Sequence, residues 1–304
     1  MKRQAKLILG GGAAFGLAHI GAIKAIEEEY VISGIVGTSM GAIVGGLYAM
    51  GKTPVEILDI ARESKSDIIF NPHILPMLPK IFPFNLFKIT HSGKNALNIF
   101  NIWTQGARIE NLPIPFVAVA FDLKQGISVL LDKGSLASAM RASSSLPLLF
   151  TPYVQGKYQF VDGGIEHPLP VAFGDSVPGE VTIAVNVLPA VSAKVENIKL
   201  NTYSPKQSIK THQVVIRSIM QNQGFVSIQS MLQRPPDLFI DAHNPEKGMF
   251  DLFDADDFYE FGYQAARETL DRKGEPKFME QLLKRYQSLI GRFVKNRREA
   301  ELGV

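Results

Sequence analysis

The stretch SGIVGTSMGAIVGGLYAM, residues 33–50, determines how the rest of this 304-residue chain is interpreted. It opens with a short apolar run, turns through GTSMG at 37–41, and continues with small and apolar residues that favour a buried helix. Gly-x-Ser-x-Gly between a strand and a helix is typical of a nucleophile elbow, which exposes the serine hydroxyl at the helix N-terminus. Free N–H groups and the helix dipole favour negative charge there. The pattern predicts Ser39 as a nucleophile, and the alternative is that Ser39 merely caps the helix.

A glycine-rich turn precedes this stretch. Residues 6–9 are apolar and predict a buried strand, residues 10–16 (GGGAAFG) predict a turn, and an amphipathic helix follows before the strand at 34–36. This order is a βαβ unit, which implies a parallel sheet. Loops after neighbouring parallel strands meet at one edge of the sheet, so backbone N–H groups of the turn can face the carbonyl oxygen that Ser39 attacks. Alternatively, the glycines only allow close packing of helix on sheet.

Several function classes are disfavoured by composition and spacing. The chain has no cysteine, which excludes disulfides, thiolate catalysis and zinc–thiolate sites. A net charge of +3 gives no indication of nucleic-acid binding. The glycines of 10–16 do not have the spacing of a dinucleotide fingerprint, and no acidic residue ends a second strand about 20 residues on. The apolar run at 7–18 fits a strand and a turn better than a signal peptide.

The remaining chain continues the alternation of strands and helices. Apolar runs predict strands at 115–122, 126–131, 158–161 and 181–187, an edge strand at 238–240, and helices at 213–232 and 258–270. The strand at 158–161 ends in Asp162-Gly163-Gly164, which can present a carboxylate at the edge of the sheet. The same three residues also suit an ordinary turn.

Two segments suggest contact with lipid. Residues 70–87 are rich in both proline and large apolar residues, which fits a cap over an apolar pocket, a patch that enters a lipid surface, or irregular core. Residues 276–298 predict a basic amphipathic helix, whose basic positions within 277–298 can bind anionic lipid. Docking of that helix on its own domain is the favoured alternative. We therefore predict one main domain at 1–275 and a C-terminal helix at 276–304.

At this point the chain resembles the patatin-like phospholipases, particularly their small bacterial members, from residue 6 to about 187. The resemblance rests on four motifs in the same order: a glycine loop ending in GLAHIG (16–21), the elbow at 37–41, Arg141-Ala142-Ser143 with Pro147, and Asp162-Gly163-Gly164. Together these motifs are far more specific than any one of them alone.

The resemblance implies an α/β fold with three layers, α/β/α, a mostly parallel central sheet and additional C-terminal helices. It implies a serine acyl hydrolase that uses a Ser–Asp dyad, with Ser39 as nucleophile and Asp162 as its partner, and neither a cofactor nor a metal. Backbone N–H groups of Gly11, Gly12 and Ala13 would form the oxyanion hole. Five further glycines would support the motifs: Gly16, Gly37, Gly41, Gly163 and Gly164. The substrate would be a phospholipid or another acyl lipid, and we expect a cytoplasmic protein, peripheral to the inner face of the membrane.

The chain departs from the family pattern at three positions, one of which, Ala13 as the third residue of the glycine motif, some family members tolerate. Phe15 stands where the family usually has Arg or Lys, which removes a positive charge that we expect near the oxyanion. His167 stands where Asn is common. A histidine triad through His167, His212 or His243 stays open, because all three follow Asp162 in the chain order of α/β-hydrolases. An acyltransferase or thioesterase with the same acyl-enzyme, and a non-catalytic lipid-surface protein, are the alternative functions.

Overall fold

The computed structural model of the chain describes residues 2–63, 93–147, 149–189, 211–248, 251–252 and 254–272, without the side chains of 211–217, 220 and 221. Both segments with predicted lipid contact, 70–87 and 277–298, lie outside the described residues. Membrane contact through them and the domain boundary after residue 275 therefore stay predictions. Within the described ranges, no helix combines the length and the hydropathy that crossing a bilayer requires.

Strands and helices are interspersed along the described part of the chain. In order they are β1 (Gln4–Leu9), α1 (Ala18–Glu29), β2 (Val31–Thr38), α2 (Met40–Ala49), α3 (Pro54–Glu63), α4 (Lys94–Thr104), β3 (Phe116–Asp122), β4 (Ile127–Leu131), α5 (Leu136–Ser143), β5 (Tyr153–Gln155), β6 (Tyr158–Asp162), β7 (Val181–Asn186), α6 (Thr211–Gln233), β8 (Leu238–Asp241) and α7 (Ala255–Asp271). Short 3₁₀ turns occupy Ala13–Leu17, Ile109–Asn111, Gly163–Ile165 and Val171–Ser176. The three-residue strand β5 has too few residues for its pattern to predict it.

The strands form one mixed sheet in the order β5-β6-β3-β2-β1-β7-β8, with β4 paired to β3. Strands β3, β2, β1, β7 and β8 are parallel. Neighbouring residues of β1 face opposite sides: Leu7 and Leu9 join the core beneath α1, α2 and α7, whereas Ile8 joins the core beneath α6. Helices therefore cover both faces of the sheet, and the predicted three-layer α/β/α architecture is confirmed.

Strand β6 reaches the carboxyl end of β2 from the opposite direction. On β3, Val119 pairs with Thr38 of β2, and the next residue, Ala120, pairs with Asp162 of β6. Strand β4 occupies one edge of β3 along both of these parts. Strands β2 and β6 therefore lie one after the other along the opposite edge of β3. Because β6 is antiparallel to β3, it runs back toward the end of β2 and stops there. The predicted meeting of the two strand ends thus occurs, but through antiparallel pairing.

Helix α7 lies against α1 at two glycines. A Cβ on Gly21 would lie 1.8 Å from the carbonyl oxygen of Tyr259, and a Cβ on Gly262 would lie 1.9 Å from that of Ala18. Each glycine therefore allows the backbone of the other helix to approach closely. Through this contact α7, a helix near the end of the described chain, fixes the helix that follows the glycine loop.

Candidate active site

The predicted elbow at residues 37–41 forms between β2 and α2. Ser39 has φ 55° and ψ −121°, a conformation that is costly for a residue with a side chain. A Cβ on Gly37 would lie 2.5 Å from the carbonyl oxygen of Gly41, and a Cβ on Gly41 would lie 2.3 Å from that of Leu9. Helix α2 therefore starts in direct contact with β1, and this contact holds Ser39 in its strained turn.

A hydrogen-bond chain from α5 fixes the backbone of Ser39. The N–H of Ser39 donates to the Oγ of Ser143 at 2.9 Å, and this hydroxyl donates in turn to the carbonyl oxygen of Val119 at 2.6 Å. Ser143 is fully buried, so its hydroxyl has no alternative water partner at the surface. The sequence shows Ser143 within a motif but gives no indication that it supports the nucleophile.

The Asp162 carboxylate lies beside Ser39 and is 2% exposed. Burial raises the pKa of Asp162 to about 6, although the hydroxyl of Ser39 and the N–H of Gly164 both act to lower it. The Gly164 N–H donates to Oδ1 at 2.8 Å. Oδ2 has no hydrogen-bond partner within the described part of the chain, so the contact with Ser39 is looser than a formed hydrogen bond. Such catalytic contacts commonly tighten when substrate binds.

Two glycines shape the turn that follows Asp162. A Cβ on Gly163 would lie 2.3 Å from the carbonyl oxygen of Val119 on β3. A Cβ on Gly164 would meet only side-chain atoms, at 3.0 Å from Asp162 Oδ1 and from the Nε2 of Gln223. A side chain at position 163 would therefore clash with backbone, whereas a side chain at position 164 would meet only side-chain atoms that can move.

The glycine loop lies directly against the elbow, as the βαβ unit predicts. A Cβ on Gly11 would lie 3.1 Å from the Cβ of Ser39. The Gly11 N–H, however, donates to the carbonyl oxygen of Pro168 at 2.8 Å. No partner is found among the described residues for the N–H groups of Gly12 and Ala13, and Ala13 has a positive φ of 49°. In this conformation Gly12 and Ala13, rather than Gly11, offer free donors.

His19 anchors the start of the same loop. Its Nε2 lies 2.7 Å from the carbonyl oxygen of Gly10, so this nitrogen carries the proton and donates it. Burial lowers the pKa of His19 to about 4, and the ring is therefore neutral near pH 7. A Cβ on Gly16 would lie 2.5 Å from the Cβ of Met40, which brings the far end of the loop onto the first turn of α2.

Phe15 packs in the core. Its ring is 5% exposed, stacks on His243 with centroids 5.0 Å apart, and meets Phe258 edge-on at 6.2 Å. Position 15 thus faces α7 and the segment after β8, and it is absent from the cleft lining found among the described residues. The side chain of residue 15 therefore lies in the core, and not at the place where we expected a positive charge to be missing.

An apolar cleft opens at Ser39. Its empty space, including the open mouth, is about 450 Å³. The described lining carries no charged side chain. Its apolar walls come from α2, α4, the segment after α5 and the segment before α7, with the side chains of Ile43, Ala96, Phe100, Leu146, Phe150 and Leu252.

Arg141 joins two walls of this cleft from behind. Its Nε donates to the carbonyl oxygen of Gly93 at the start of α4, at 3.2 Å, and its Nη2 donates to that of Thr151 at 3.1 Å. The guanidinium also lies 4.9 Å from the centre of the Phe150 ring, within cation–π range. Burial lowers the pKa of Arg141 to about 10. The arginine of the Arg141-Ala142-Ser143 motif is thus a structural tie between cleft walls.

The histidines proposed for a triad make no hydrogen bond to Ser39 or Asp162 within the described part of the chain. His243 stacks on Phe15, and burial lowers its pKa to about 4. His167 contributes its backbone, since its carbonyl oxygen accepts from Thr38 Oγ1 at 2.9 Å. The side chain of His212 lies outside the described residues. Among those residues, moreover, no group of three or more His, Asp or Glu side chains is placed to hold a metal ion.

Comparisons with known proteins agree with this geometry. The family model for the patatin-like phospholipases matches residues 7–173, a range that contains the elbow, the glycine loop and the Asp162 turn. An uncharacterized NTE family protein of Mycobacterium tuberculosis is 39% identical over 183 residues, which is 60% of this chain and 48% of the relative. The chain therefore spans about half the length of the mycobacterial relatives that it matches.

Two more distant similarities are found, one in sequence and one in structure. Patatin-like phospholipase domain-containing protein 6 of Mus musculus is 31% identical over 185 residues, covering 60% of this chain and 13% of that protein. Among solved structures, VipD from Legionella pneumophila aligns with a TM-score of 0.42 and 14% identity, covering 89% of this chain and 67% of the other. At that score the structural likeness supports no separate conclusion.

Proposed function

This chain belongs to the patatin-like phospholipase family, and from that premise we propose that it is a serine acyl hydrolase of the phospholipase A or lysophospholipase type. In this proposal Ser39 is the nucleophile, Asp162 is the general base, and the bond cleaved is a fatty acyl ester of a lipid. The observation that carries the proposal is a buried carboxylate beside Ser39 where an apolar cleft opens.

The first half of the reaction forms an acyl-enzyme. The Oγ of Ser39 attacks the ester carbonyl carbon while its proton passes to Oδ2 of Asp162, since Oδ1 already accepts the Gly164 N–H. The carbonyl oxygen becomes an oxyanion that the N–H groups of Gly12 and Ala13 can bind. The carbon–oxygen bond to the leaving alcohol then breaks, and the alcohol takes the proton from Asp162.

The second half returns the free enzyme. Asp162 accepts a proton from a water molecule, whose oxygen attacks the acyl carbon, and the bond to Ser39 Oγ then breaks as Asp162 gives that proton to the serine oxygen and the fatty acid leaves. A carboxylate is ordinarily a weak base, but burial raises the pKa of Asp162 to about 6 and so brings it closer to the working pH. The donors at Gly12 and Ala13 would each be worth roughly 10²–10³ in rate.

The cleft supports an acyl chain as the group that is transferred to Ser39. Its described walls are aliphatic and aromatic, and burying each methylene of an acyl chain there contributes about 0.8 kcal/mol. A charged headgroup would find no counter-charge on the described lining, so the headgroup is expected to remain at the open mouth. The acyl chain is therefore the part of the lipid that this site selects.

A fluorophosphonate probe, followed by mass spectrometry of the labelled peptide, tests the proposal. We expect labelling at Ser39, loss of labelling in Ser39→Ala and suppression in Asp162→Asn. On phospholipid vesicles and lysophospholipid micelles, Ser39→Ala should lower kcat by about 10⁶-fold and Asp162→Asn by roughly 10⁴-fold or more. His243→Gln, which alters a buried histidine away from the dyad, is the matched control for a histidine triad and should retain labelling.

The product distinguishes the remaining functions. Release of free fatty acid from a lipid ester supports hydrolysis, acyl transfer to added glycerol or to a thiol would identify an acyltransferase, and preferential hydrolysis of an acyl thioester would identify a thioesterase. A folded protein that binds vesicles but is not labelled at Ser39 would contradict the proposal and indicate a lipid-surface protein without turnover.

A further inference from the structure

Helix α6 contacts the Asp162 turn although it lies outside residues 7–173, the range that matches the family model. The Nε2 of Gln223 donates to the carbonyl oxygen of Gly164 at 3.1 Å. The N–H of the same glycine donates to Asp162 Oδ1 at 2.8 Å. A Cβ on Gly164 would lie 3.0 Å from both Gln223 Nε2 and Asp162 Oδ1, so the amide and the carboxylate flank the same backbone position.

The helix segment that carries Gln223 is anchored by contacts of its own. The backbone carbonyl oxygen of Gln223 accepts from the Oγ of Ser227, which is fully buried, at 3.0 Å. Two turns further on, Met231 is fully buried in the core beneath α6. At the end of the helix, the Nη1 of Arg234 donates to the carbonyl oxygen of Ala172 at 3.0 Å. An anchored helix therefore presents the side chain to the turn.

We propose that Gln223 is a positioning residue for the general base: by holding Gly164 it keeps Oδ1 of Asp162 bound and leaves Oδ2 turned toward Ser39. This inference rests on the proposed acyl hydrolase function. It also gives α6 a role in the reaction that the family-matching residues do not contain. Without the amide, the Gly164 peptide can rotate, and the carboxylate loses the contact that selects which oxygen takes the serine proton.

The effect on Asp162 can be read from the pH dependence of activity. The base must be deprotonated, so kcat/KM should fall as the pH drops below about 6, the value to which burial raises the pKa of Asp162. Other titratable groups on the surrounding elements are Glu166 and His167 on the same turn, Asp122 on β3, and Arg141 on α5. The described side chains of α6 include no titratable group. A change in the pH dependence caused by a charge at position 223 can therefore be attributed to that charge.

Gln223→Glu is the decisive variant, because it keeps the side-chain shape, replaces the donor to the Gly164 carbonyl oxygen with a carboxylate that cannot donate, and adds a negative charge beside Asp162. Like charge raises the pKa of a carboxyl group, so the acid limb of kcat/KM should move upward by about one pH unit. Asn222→Asp adds the same charge at the exposed neighbouring position and should leave the limb in place. Gln223→Leu removes the donor and should lower kcat/KM about 10-fold.

The assay uses a soluble p-nitrophenyl acyl ester, together with the rate of fluorophosphonate labelling at Ser39, on the full chain with its thermal midpoint checked. A limb that moves in Gln223→Glu but not in Asn222→Asp supports the inference. Identical limbs in the two variants, with wild-type labelling intact, would overturn the inference alone. A wild-type protein that is never labelled would overturn the proposed function and this inference with it.

Discussion

The turn at Ser39 and the turn at Asp162 perform paired tasks but are held in different ways. Each ends a strand and each contains two glycines. The Ser39 turn is fixed by backbone: Gly41 sits against the carbonyl oxygen of Leu9, and the φ of Ser39 is 55°. At the Asp162 turn, Gly163 also meets a backbone oxygen, that of Val119, but Gly164 meets side-chain atoms, and its carbonyl oxygen is held by a glutamine 59 residues away in the chain.

This difference separates rigidity from adjustability. A serine nucleophile must stand at one place relative to the oxyanion donors, and backbone contacts between β1, β2 and α2 fix that place. In the proposed reaction the Asp162 carboxylate changes its charge, and it is buried and accepts a hydrogen bond from the Gly164 N–H. Substitutions near the proposed base are therefore expected to change its pKa, whereas substitutions at the elbow glycines are expected to disrupt the turn.

Alanine at the two glycines should give the largest contrast. In Gly41→Ala the new Cβ would lie 2.3 Å from a backbone oxygen that cannot move without shifting α2 away from β1. We expect the free energy of unfolding to fall by about 4 kcal/mol or more. In Gly164→Ala the nearest atoms, at 3.0 Å, end movable side chains, and the loss should be about 1 kcal/mol.

Urea unfolding of both variants measures this contrast, with Gly51→Ala as a control. A Cβ at Gly51 would have no atom within 4 Å, so any loss there reports only its positive φ of 101°. Equal losses in Gly41→Ala and Gly164→Ala would show that the two turns are held alike.

Replacing the base should stabilise the protein at neutral pH. The pKa of Asp162 is about 6 in the folded chain against an ordinary 3.8, so above pH 6 folding confines a charge that the unfolded chain leaves in water. At pH 8 this costs roughly 3 kcal/mol, and the cost disappears below pH 3.8, where both states are protonated. Asp162→Asn should therefore raise the free energy of unfolding at pH 8 by up to that amount.

Denaturant titrations at pH 5 and pH 8 test the sign as well as the size. The gain in Asp162→Asn should be larger at pH 8 than at pH 5, because the cost grows as the pH rises from about 3.8 to about 6 and is constant above that range. Ser39→Ala at the same two pH values serves as the control for changes in the dyad that leave the carboxyl group in place. A gain that shrinks with rising pH would mean that the folded state favours the charged carboxylate.

Ser143→Ala should have a smaller effect on stability than Gly41→Ala or Asp162→Asn. It leaves the buried N–H of Ser39 without its acceptor, which should lower the free energy of unfolding by about 1–2 kcal/mol and kcat by roughly 10-fold. Ser176→Ala removes an exposed hydroxyl that also donates to a backbone carbonyl, at 2.6 Å, and should change neither. Full activity in Ser143→Ala would show that the backbone contacts alone hold the elbow.

Local patterns predicted the parts of this molecule that are made from neighbouring residues. The βαβ unit, the elbow at Ser39 and the nearby glycine loop follow from strand and helix periodicity and from glycine spacing, and the structure contains all three. The helices predicted at 213–232 and 258–270 are present as α6 and α7. The antiparallel direction of β6 was not predicted from local patterns, because β6 pairs with the part of β3 that extends beyond the end of β2.

The sequence alone determined which residues could react, because a serine in a glycine elbow and a carboxylate before two glycines are chemical identities that need no tertiary context. How these residues are held and what surrounds them depends on the packing of the folded chain. This packing engaged the Gly11 N–H with Pro168, turned Phe15 into the core, and brought Leu252 to the cleft and Gln223 to the Asp162 turn. Those contacts join residues far apart in the chain, and burial, which sets the pKa of Asp162, exists only once the layers have packed.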